Sequence, residues 1–156
     1  MKNKTNLGIY IHLPFCATIC PYCDFYKIQY SFNLEKKYIK SLIKEIESTS
    51  TYGYKIDTIY FGGGTPTISA RYLPQIMSSI KKVHNISATA EISCEANPCS
   101  LDDYTINFIK ESEINRLSIG IQSFNQNNLK SLGRTHTNDR VISAISKVRK
   151  FGINNI

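Results

Sequence analysis

The chain has 156 residues, 42% of them hydrophobic and 20% charged, so it is long enough for one domain with a substantial core. Its net charge of +7 could attract nucleic acid, but the lysines are scattered along presumed helix faces, so we predict a solvated surface and no nucleic-acid partner. No apolar run approaches the roughly 18 residues of a membrane span and no signal-peptide pattern follows Met1, which predicts a cytoplasmic protein without an integral membrane segment.

Strand-like runs alternate with amphipathic helical patterns along the whole sequence. In chain order, the predicted strands cover residues 8–13, 56–61, 88–94 and 116–121, and the predicted helices cover residues 33–49, 70–83, 101–112, 126–131 and 139–150. Four strand–helix units in series predict an α/β fold with a parallel sheet, which could be doubly wound or part of a barrel.

The pattern within the strands favours one of these two folds. Residues 91–96 and 116–122 alternate polar with apolar side chains, so one face of the predicted sheet is polar. A doubly wound sheet carries helices on both faces, and its strands are continuously hydrophobic. We therefore predict an incomplete TIM-type barrel with outer helices against the apolar face, and Glu91 and Arg116 as an ion pair on the polar face.

Three of the five cysteines, Cys16, Cys20 and Cys23, form a C-x3-C-x2-C pattern in the loop after the first predicted strand. This loop lies at the edge of the sheet where α/β barrels place their chemistry. A structural zinc site normally has four protein ligands, whereas a 4Fe-4S cluster held by three thiolates keeps one iron open to a small molecule. We therefore favour a cluster over a non-enzymatic zinc module, and we expect Cys94 and Cys99 to lie away from the three thiols.

The cysteine pattern is similar to that of the radical S-adenosylmethionine (SAM) enzymes, in which SAM chelates the fourth iron. Four more blocks resemble one subgroup of that family, the oxygen-independent coproporphyrinogen III dehydrogenases (HemN) and the HemW heme chaperones. These blocks are YFGGGTP at 60–66, EISCEANP at 91–98, NRLSIGIQSF at 115–124 and LGRTH at 132–136. The resemblance extends to the last residues and implies a 4Fe-4S cluster and SAM as cofactors, with a radical generated by reductive cleavage of SAM.

The resemblance also implies which residues contact SAM. At the first SAM these are Tyr10, Gly63, Gly64, Thr65 and Glu95, and at the second SAM site of the dehydrogenase they are Tyr22, Gln122 and Arg134. The residue types suit these roles, because glycines let the backbone approach a ligand closely and a carboxylate accepts hydrogen bonds from amino or hydroxyl groups.

Two departures from the dehydrogenase favour the heme chaperones. Cys23 is followed by Asp24 and Phe25 where the dehydrogenase has a further cysteine, and only about seven residues precede the first strand. The sequence therefore predicts a heme chaperone that binds heme or porphyrin, receives electrons from a donor and passes heme to an unknown acceptor protein. The alternative is coproporphyrinogen III dehydrogenation, so the resemblance leaves open whether the protein is an enzyme.

The members of this subgroup are much longer than 156 residues. We expect residues 1–156 to be the N-terminal part of a radical SAM core domain that stops where a fifth strand should begin, without the C-terminal domain. An unpaired strand edge with apolar flanks is an aggregation template, so we also expect the isolated chain to be poorly soluble or oligomeric.

Overall fold

The computed structural model describes residues 6–156, so the residues on which the absence of a signal peptide was judged lie outside it. Its strands are β1 (Asn6–Leu13), β2 (Phe15–Cys16), β3 (Ile28–Gln29), β4 (Lys55–Gly63), β5 (Ile86–Ala96) and β6 (Arg116–Ile119). Its α-helices are α1 (Phe32–Ser48), α2 (Leu73–Val83), α3 (Asp103–Glu111), α4 (Gln126–Ser131) and α5 (Asn138–Lys150). Four strands form one parallel sheet in the order β1-β4-β5-β6.

The two faces of this sheet have different partners. Apolar side chains of one face, such as Ile59 and Phe61 of β4, are buried in a core with residues of α1, α2, α3 and α5. The other face is polar, and on it Arg116 pairs with Glu91 at 3.5 Å, as predicted. A parallel sheet with helices against its apolar face agrees with the predicted incomplete TIM-type barrel.

A short parallel pairing holds the loop after β1. β2 pairs with β3, which places Phe15 beside Ile28 and Cys16 beside Gln29. The sequence analysis missed this pairing, because two-residue strands are too short to show a period of alternation. The consequence for the site is that the first cysteine of the motif belongs to a strand and not to a free loop.

The segment after β4 also differs from its prediction. A helix was expected from residue 70, but a 3-10 helix at Pro66–Tyr72 precedes α2, and Ser69 within it has non-helical backbone angles. Proline is accommodated at the start of each helix, Pro66 in the 3-10 segment and Pro74 in α2, because the first turn needs no N–H donor. The chain after Thr65 therefore turns tightly before α2 begins.

The last residues lie beside β6. The N–H of Leu117 donates to the carbonyl oxygen of Asn155 at 3.0 Å, and Arg116 and Asn155 form a parallel bridge. This is the edge at which the sequence analysis placed the next strand. Among the helices of residues 6–156, none combines the length and the apolar character needed to cross a membrane.

Candidate functional site

The loops that follow β1, β4, β5 and β6 enclose a cavity of about 560 Å³ at the carboxyl edge of the sheet. This volume is in the range of cofactor and small-molecule sites. Ten of the eleven residues predicted for the site line it, namely Cys16, Cys20, Tyr22, Cys23, Gly63, Gly64, Thr65, Glu95, Gln122 and Arg134. The structure therefore brings together residues that lie more than a hundred positions apart in the sequence.

The three cysteines of the motif differ in their surroundings. Cys16 in β2 is 7% exposed, and its carbonyl oxygen accepts a hydrogen bond from the N–H of Tyr30 at 2.9 Å. Cys20 and Cys23 are half-buried in a turn in which the Cys23 N–H donates to the Cys20 carbonyl at 3.3 Å. The ammonium group of Lys27 donates to the Cys23 carbonyl oxygen and so fixes the end of this turn.

The spacing of the thiols bears on which metal they could hold. Within residues 6–156, no three His, Cys, Asp or Glu side chains are close enough together to share one metal ion. A tetrahedral zinc site needs all its sulfurs about 2.3 Å from one atom, whereas a 4Fe-4S cluster takes each thiolate on a different iron. The three thiols of the motif, all on the lining of one cavity, can give one thiolate to each of three irons and leave the fourth iron open, so this donor set fits a cluster better than a structural zinc site with four protein ligands.

The two remaining cysteines lie in different places. Cys94 is fully buried on the apolar face, where burial raises the pKa of its thiol, so it is a core residue as predicted. Cys99 was expected to lie away from the motif, but it is exposed and lines the same cavity as the three thiols. This position could not be predicted from the spacing of the cysteines, because Cys99 reaches the cavity through the loop after β5.

Glu95 is hydrogen-bonded to the glycine segment, which comprises residues 62–65. Its Oε2 accepts a hydrogen bond from the Gly63 N–H at 3.2 Å, and its Oε1 accepts one from the Tyr60 hydroxyl at 2.7 Å. Burial, together with the hydrogen bond to Glu95 and its charge, raises the pKa of Tyr60 to about 12. Glu95 therefore lies at the cavity wall and also holds the backbone of the glycine segment.

The glycines contact protein more closely than was expected. A Cβ on Gly64 would lie 2.6 Å from the carbonyl group of Pro14, and a Cβ on Gly63, whose φ is +115°, would lie 2.8 Å from the ring of His12. The Gly64 N–H also donates to the Leu13 carbonyl at 2.9 Å. These glycines are thus required for close approach to β1 and the start of the cysteine loop, whereas the sequence analysis related them to ligand space alone.

Thr65 joins the glycine segment to the first cysteine. Its N–H donates to the Phe15 carbonyl oxygen at 2.8 Å, and its hydroxyl oxygen lies 3.7 Å from the Cys16 sulfur. Burial raises the pKa of the Cys16 thiol, and the contact with Thr65 opposes that effect. Any group that bound the Cys16 thiolate would have to displace this proton first.

Tyr10 is the one predicted site residue outside the cavity lining. It is exposed on the polar face of β1, where its ring stacks on Tyr60 with 6.1 Å between ring centres. Its hydroxyl is 3.0 Å from Nδ1 of His12, whose Nε2 lies 3.1 Å from the Tyr26 carbonyl oxygen. Since only an N–H can bond that carbonyl, Nε2 carries the proton and Nδ1 accepts from Tyr10. Tyr10 thus supports the cavity through His12 and Tyr60.

The wall formed after β6 contains Gln122 and Arg134, and Tyr22 of the cysteine loop meets it. The Arg134 Nε donates to the Tyr22 hydroxyl at 3.0 Å, and the ends of the Gln122 and Arg134 side chains lie over Gly120. Gln122 adopts φ +71°, a left-handed backbone conformation that non-glycine residues rarely take and that clusters at functional sites.

Two further cavity residues were not singled out from the sequence. His136 is buried, and its Nε2 donates to the Ile121 carbonyl at 3.1 Å; burial lowers its pKa. Asn97 accepts a hydrogen bond from the Cys99 N–H at 2.9 Å through its side chain. Both lie in sequence blocks that carried the resemblance, so their position in those blocks was the signal available.

Comparison with known proteins gives consistent matches. Residues 10–156 match the model of the radical SAM superfamily. The chain is 40% identical over 157 residues to the heme chaperone HemW of Lactococcus lactis and 41% identical over 158 residues to that of Buchnera aphidicola from Schizaphis graminum. These matches cover 100% and 99% of this chain but only 41% and 42% of the relatives, so the chain spans about two fifths of their length.

A solved structure matches as well. Coproporphyrinogen III oxidase (HemN) from Escherichia coli, described as a radical SAM enzyme, superposes with a TM-score of 0.85 at 26% identity. The match covers 94% of this chain and 35% of that protein.

Proposed function

The chain belongs to the radical SAM superfamily, and on this premise we propose that it is the N-terminal part of the core domain of a HemW-like heme chaperone. In this proposal Cys16, Cys20 and Cys23 hold a 4Fe-4S cluster, and SAM binds its fourth iron. The observation that carries the proposal is the enclosure of all three thiols in one cavity with the glycine segment and Glu95.

The backbone of the glycine segment suits the amino group of SAM. The N–H groups of Gly63, Gly64 and Thr65 are each bonded within the protein, to Glu95, Leu13 and Phe15. This segment can therefore offer a ligand hydrogen-bond acceptors, namely its carbonyl oxygens and the Thr65 hydroxyl. The amino group of SAM keeps N–H donors even when its nitrogen lone pair binds iron, so it is the group that such an edge suits best.

The residues of the chain hold the reacting groups. When bound and reduced, the cluster supplies one electron that cleaves a carbon–sulfur bond of SAM. Cys16, fixed in β2, would hold one iron of the cluster, and Glu95 holds the Gly63 N–H at the cavity wall. Arg134 and Tyr22 close the opposite wall of the cavity.

Heme binding, an electron donor and an acceptor protein complete the proposal. The heme chaperone is favoured because Cys23 is followed by Asp24 and Phe25, and because the relatives described above carry that name. The runner-up is coproporphyrinogen III dehydrogenation. It is supported by the likeness to coproporphyrinogen III oxidase and by the proximity of Gln122 and Arg134, which match the second SAM site of the dehydrogenase.

The two functions can be separated with one anaerobic preparation. The protein, reconstituted with iron and sulfide, is titrated with hemin, and separately incubated with coproporphyrinogen III, SAM and dithionite. A stable hemin complex without decarboxylated porphyrinogen is the expected result. Formation of decarboxylated product at the expense of SAM, with loss of activity in Arg134→Met, would instead establish the dehydrogenase.

A further inference from the structure

A buried carboxylate with no role in the proposed chemistry lies behind the cysteine motif. Glu35, in the first turn of α1, is fully buried. Its Oε1 accepts a hydrogen bond from the Ser69 hydroxyl at 2.7 Å, and its Oε2 accepts one from the Tyr30 hydroxyl at 3.2 Å and pairs with Arg71. A buried charge is costly unless it is paired and hydrogen-bonded, and both oxygens of Glu35 meet this condition.

Arg71 is held as firmly as its partner. Its guanidinium also donates to the Tyr30 hydroxyl at 3.1 Å and lies over the rings of Tyr72 and Phe32, 4.9 and 5.4 Å from their centres. Burial alone would lower the pKa of Arg71, but hydrogen bonds with Tyr30 and Tyr72 and the charge of Glu35 raise it above its usual value. The guanidinium therefore keeps its charge and its orientation.

One arm of this network leads to the first cysteine. Tyr30 directly follows β3, and its N–H donates to the Cys16 carbonyl oxygen at 2.9 Å. Its ring packs edge-on against Phe15, with 6.4 Å between ring centres. Tyr30 thus joins Glu35, through its hydroxyl, to the backbone of β2.

The other arm leads to the glycine segment. Ser69 and Arg71 belong to the 3-10 helix that begins immediately after Thr65. Thr65 is bonded to the Phe15 carbonyl, and its hydroxyl is 3.7 Å from the Cys16 sulfur. The two segments that meet at Cys16 and Thr65 are therefore both attached to one carboxylate.

We propose that Glu35 is a positioning residue that sets the location of Cys16 relative to the glycine segment, and thereby of the cluster relative to SAM. The proposal rests on the proposed function, since the relative position matters only if these two elements hold those groups. Removing one anchor takes away this tie through Glu35 and leaves the direct hydrogen bond from the Thr65 N–H to the Phe15 carbonyl, about which Cys16 can then shift relative to the glycine segment.

The test uses Glu35→Gln and Tyr30→Phe in the anaerobically reconstituted protein. The second variant removes one hydroxyl and keeps the Glu35–Arg71 pair. The control is Glu47→Gln, whose carboxylate pairs with Lys82 at 3.3 Å on the surface. Iron and sulfide content, the Kd of SAM and the SAM-induced change in the EPR spectrum of the reduced cluster are measured. We expect SAM to bind about tenfold more weakly in both variants, with a changed EPR spectrum and near-normal iron content, as for other groups that orient metal ligands.

The outcomes separate positioning from stability. If Glu35 only stabilises the fold, the variants melt at lower temperature but bind SAM with the wild-type Kd and spectrum, and the inference is overturned. Should Glu35→Gln fail to fold, Tyr30→Phe decides alone. A wild-type protein without any SAM-induced spectral change would overturn the proposed function and this inference with it, whereas a responsive wild type with unchanged variants would overturn the inference only.

Discussion

The two ends of the cysteine motif are built differently. At the β2 end, Cys16 lies in a paired strand and is buried beside Thr65. At the turn end, Cys20 and Cys23 are half-buried and joined by one backbone hydrogen bond of 3.3 Å, with Lys27 bonded to the Cys23 carbonyl. Tertiary pairing thus fixes the first thiol, and local contacts hold the other two.

In the proposed function, this difference gives the two ends different roles in binding the metal group. The β2 end is in place before any metal binds, at the cost of a thiol whose pKa burial raises. The turn end keeps its thiols more accessible and can adjust to the group that arrives. Because Cys16 is already ordered, less conformational entropy is lost when a metal group binds. Because Cys20 and Cys23 stay adjustable, the protein does not have to bury all three thiols.

The largest effect is expected from a substitution of Gly64, which packs against the Pro14 carbonyl group directly before β2. Gly64→Ala places a Cβ 2.6 Å from the Pro14 carbonyl group, and backbone atoms cannot move aside as a flexible side chain can. We expect the metal-free protein to lose about 1–3 kcal/mol of unfolding free energy and the reconstituted protein to lose iron. Denaturant titration and iron analysis measure both.

The matched variant at the turn end is Gly133→Ala, because Gly133 packs against Pro21 between Cys20 and Cys23. A Cβ on Gly133, whose φ is +66°, would lie 3.2 Å from the ring of Pro21. Gly133→Ala should cost about 1–2 kcal/mol for the left-handed backbone alone. Gly53→Ala, at φ +84° with no atom within 4 Å, measures that backbone cost separately. Iron loss in Gly133→Ala as severe as in Gly64→Ala would contradict the difference between the two ends.

Thiol reactivity gives the next largest effect. In the metal-free protein we expect iodoacetamide to modify Cys20, Cys23 and the exposed Cys99 more than about tenfold faster than Cys16, because burial and a raised pKa both suppress the Cys16 thiolate. Peptide mass spectrometry gives the rate for each residue, and the unfolded protein is the control in which the rates should become similar. Equal rates for Cys16 and Cys20 in the folded protein would show that the β2 end is not preorganised.

The smallest effect is expected at alkaline pH and comes from Tyr60, whose hydroxyl donates to Glu95 at the cavity wall. The folded-state pKa of Tyr60, about 12, lies above its ordinary value of 10.0, so the folded protein holds this proton more tightly than the unfolded chain. The stability contributed by Tyr60 is complete below pH 10 and is lost as the pH rises to about 12. Urea titrations across this range should show a decline in wild type that is smaller in Tyr60→Phe. An identical decline in the variant would remove Tyr60 as its source.

The sequence predicts the strands and loops that form the site better than the contacts that hold its residues in place. The parallel sheet, the polar face and the placement of the cysteine loop follow from periodicity and from the rule that parallel strands end at one edge. The role of Glu35 could not be predicted, because a glutamate in the first turn of a lysine-rich helix has the pattern of a surface residue. Its burial depends on Tyr30, Ser69 and Arg71, which two other segments bring to it.

The glycines illustrate the same limit in another way. The triplet predicts a close approach of the backbone to a ligand, which stays a prediction, but it does not predict the close approaches to protein atoms. The structure gives the partner as the Pro14 carbonyl for Gly64 and the His12 ring for Gly63. Long-range contacts of this kind carry no periodicity, whereas strands and helices do.

The central claim is that three thiols hold a 4Fe-4S cluster with one iron open to SAM, and metal analysis of anaerobically prepared protein tests it most directly. We predict about four iron and four sulfide per chain, an EPR signal of the reduced cluster that changes when SAM is added, loss of the cluster in Cys23→Ser and its retention in Cys99→Ser. Zinc without labile sulfide, or a cluster that ignores SAM and disappears in Cys99→Ser, would contradict the claim.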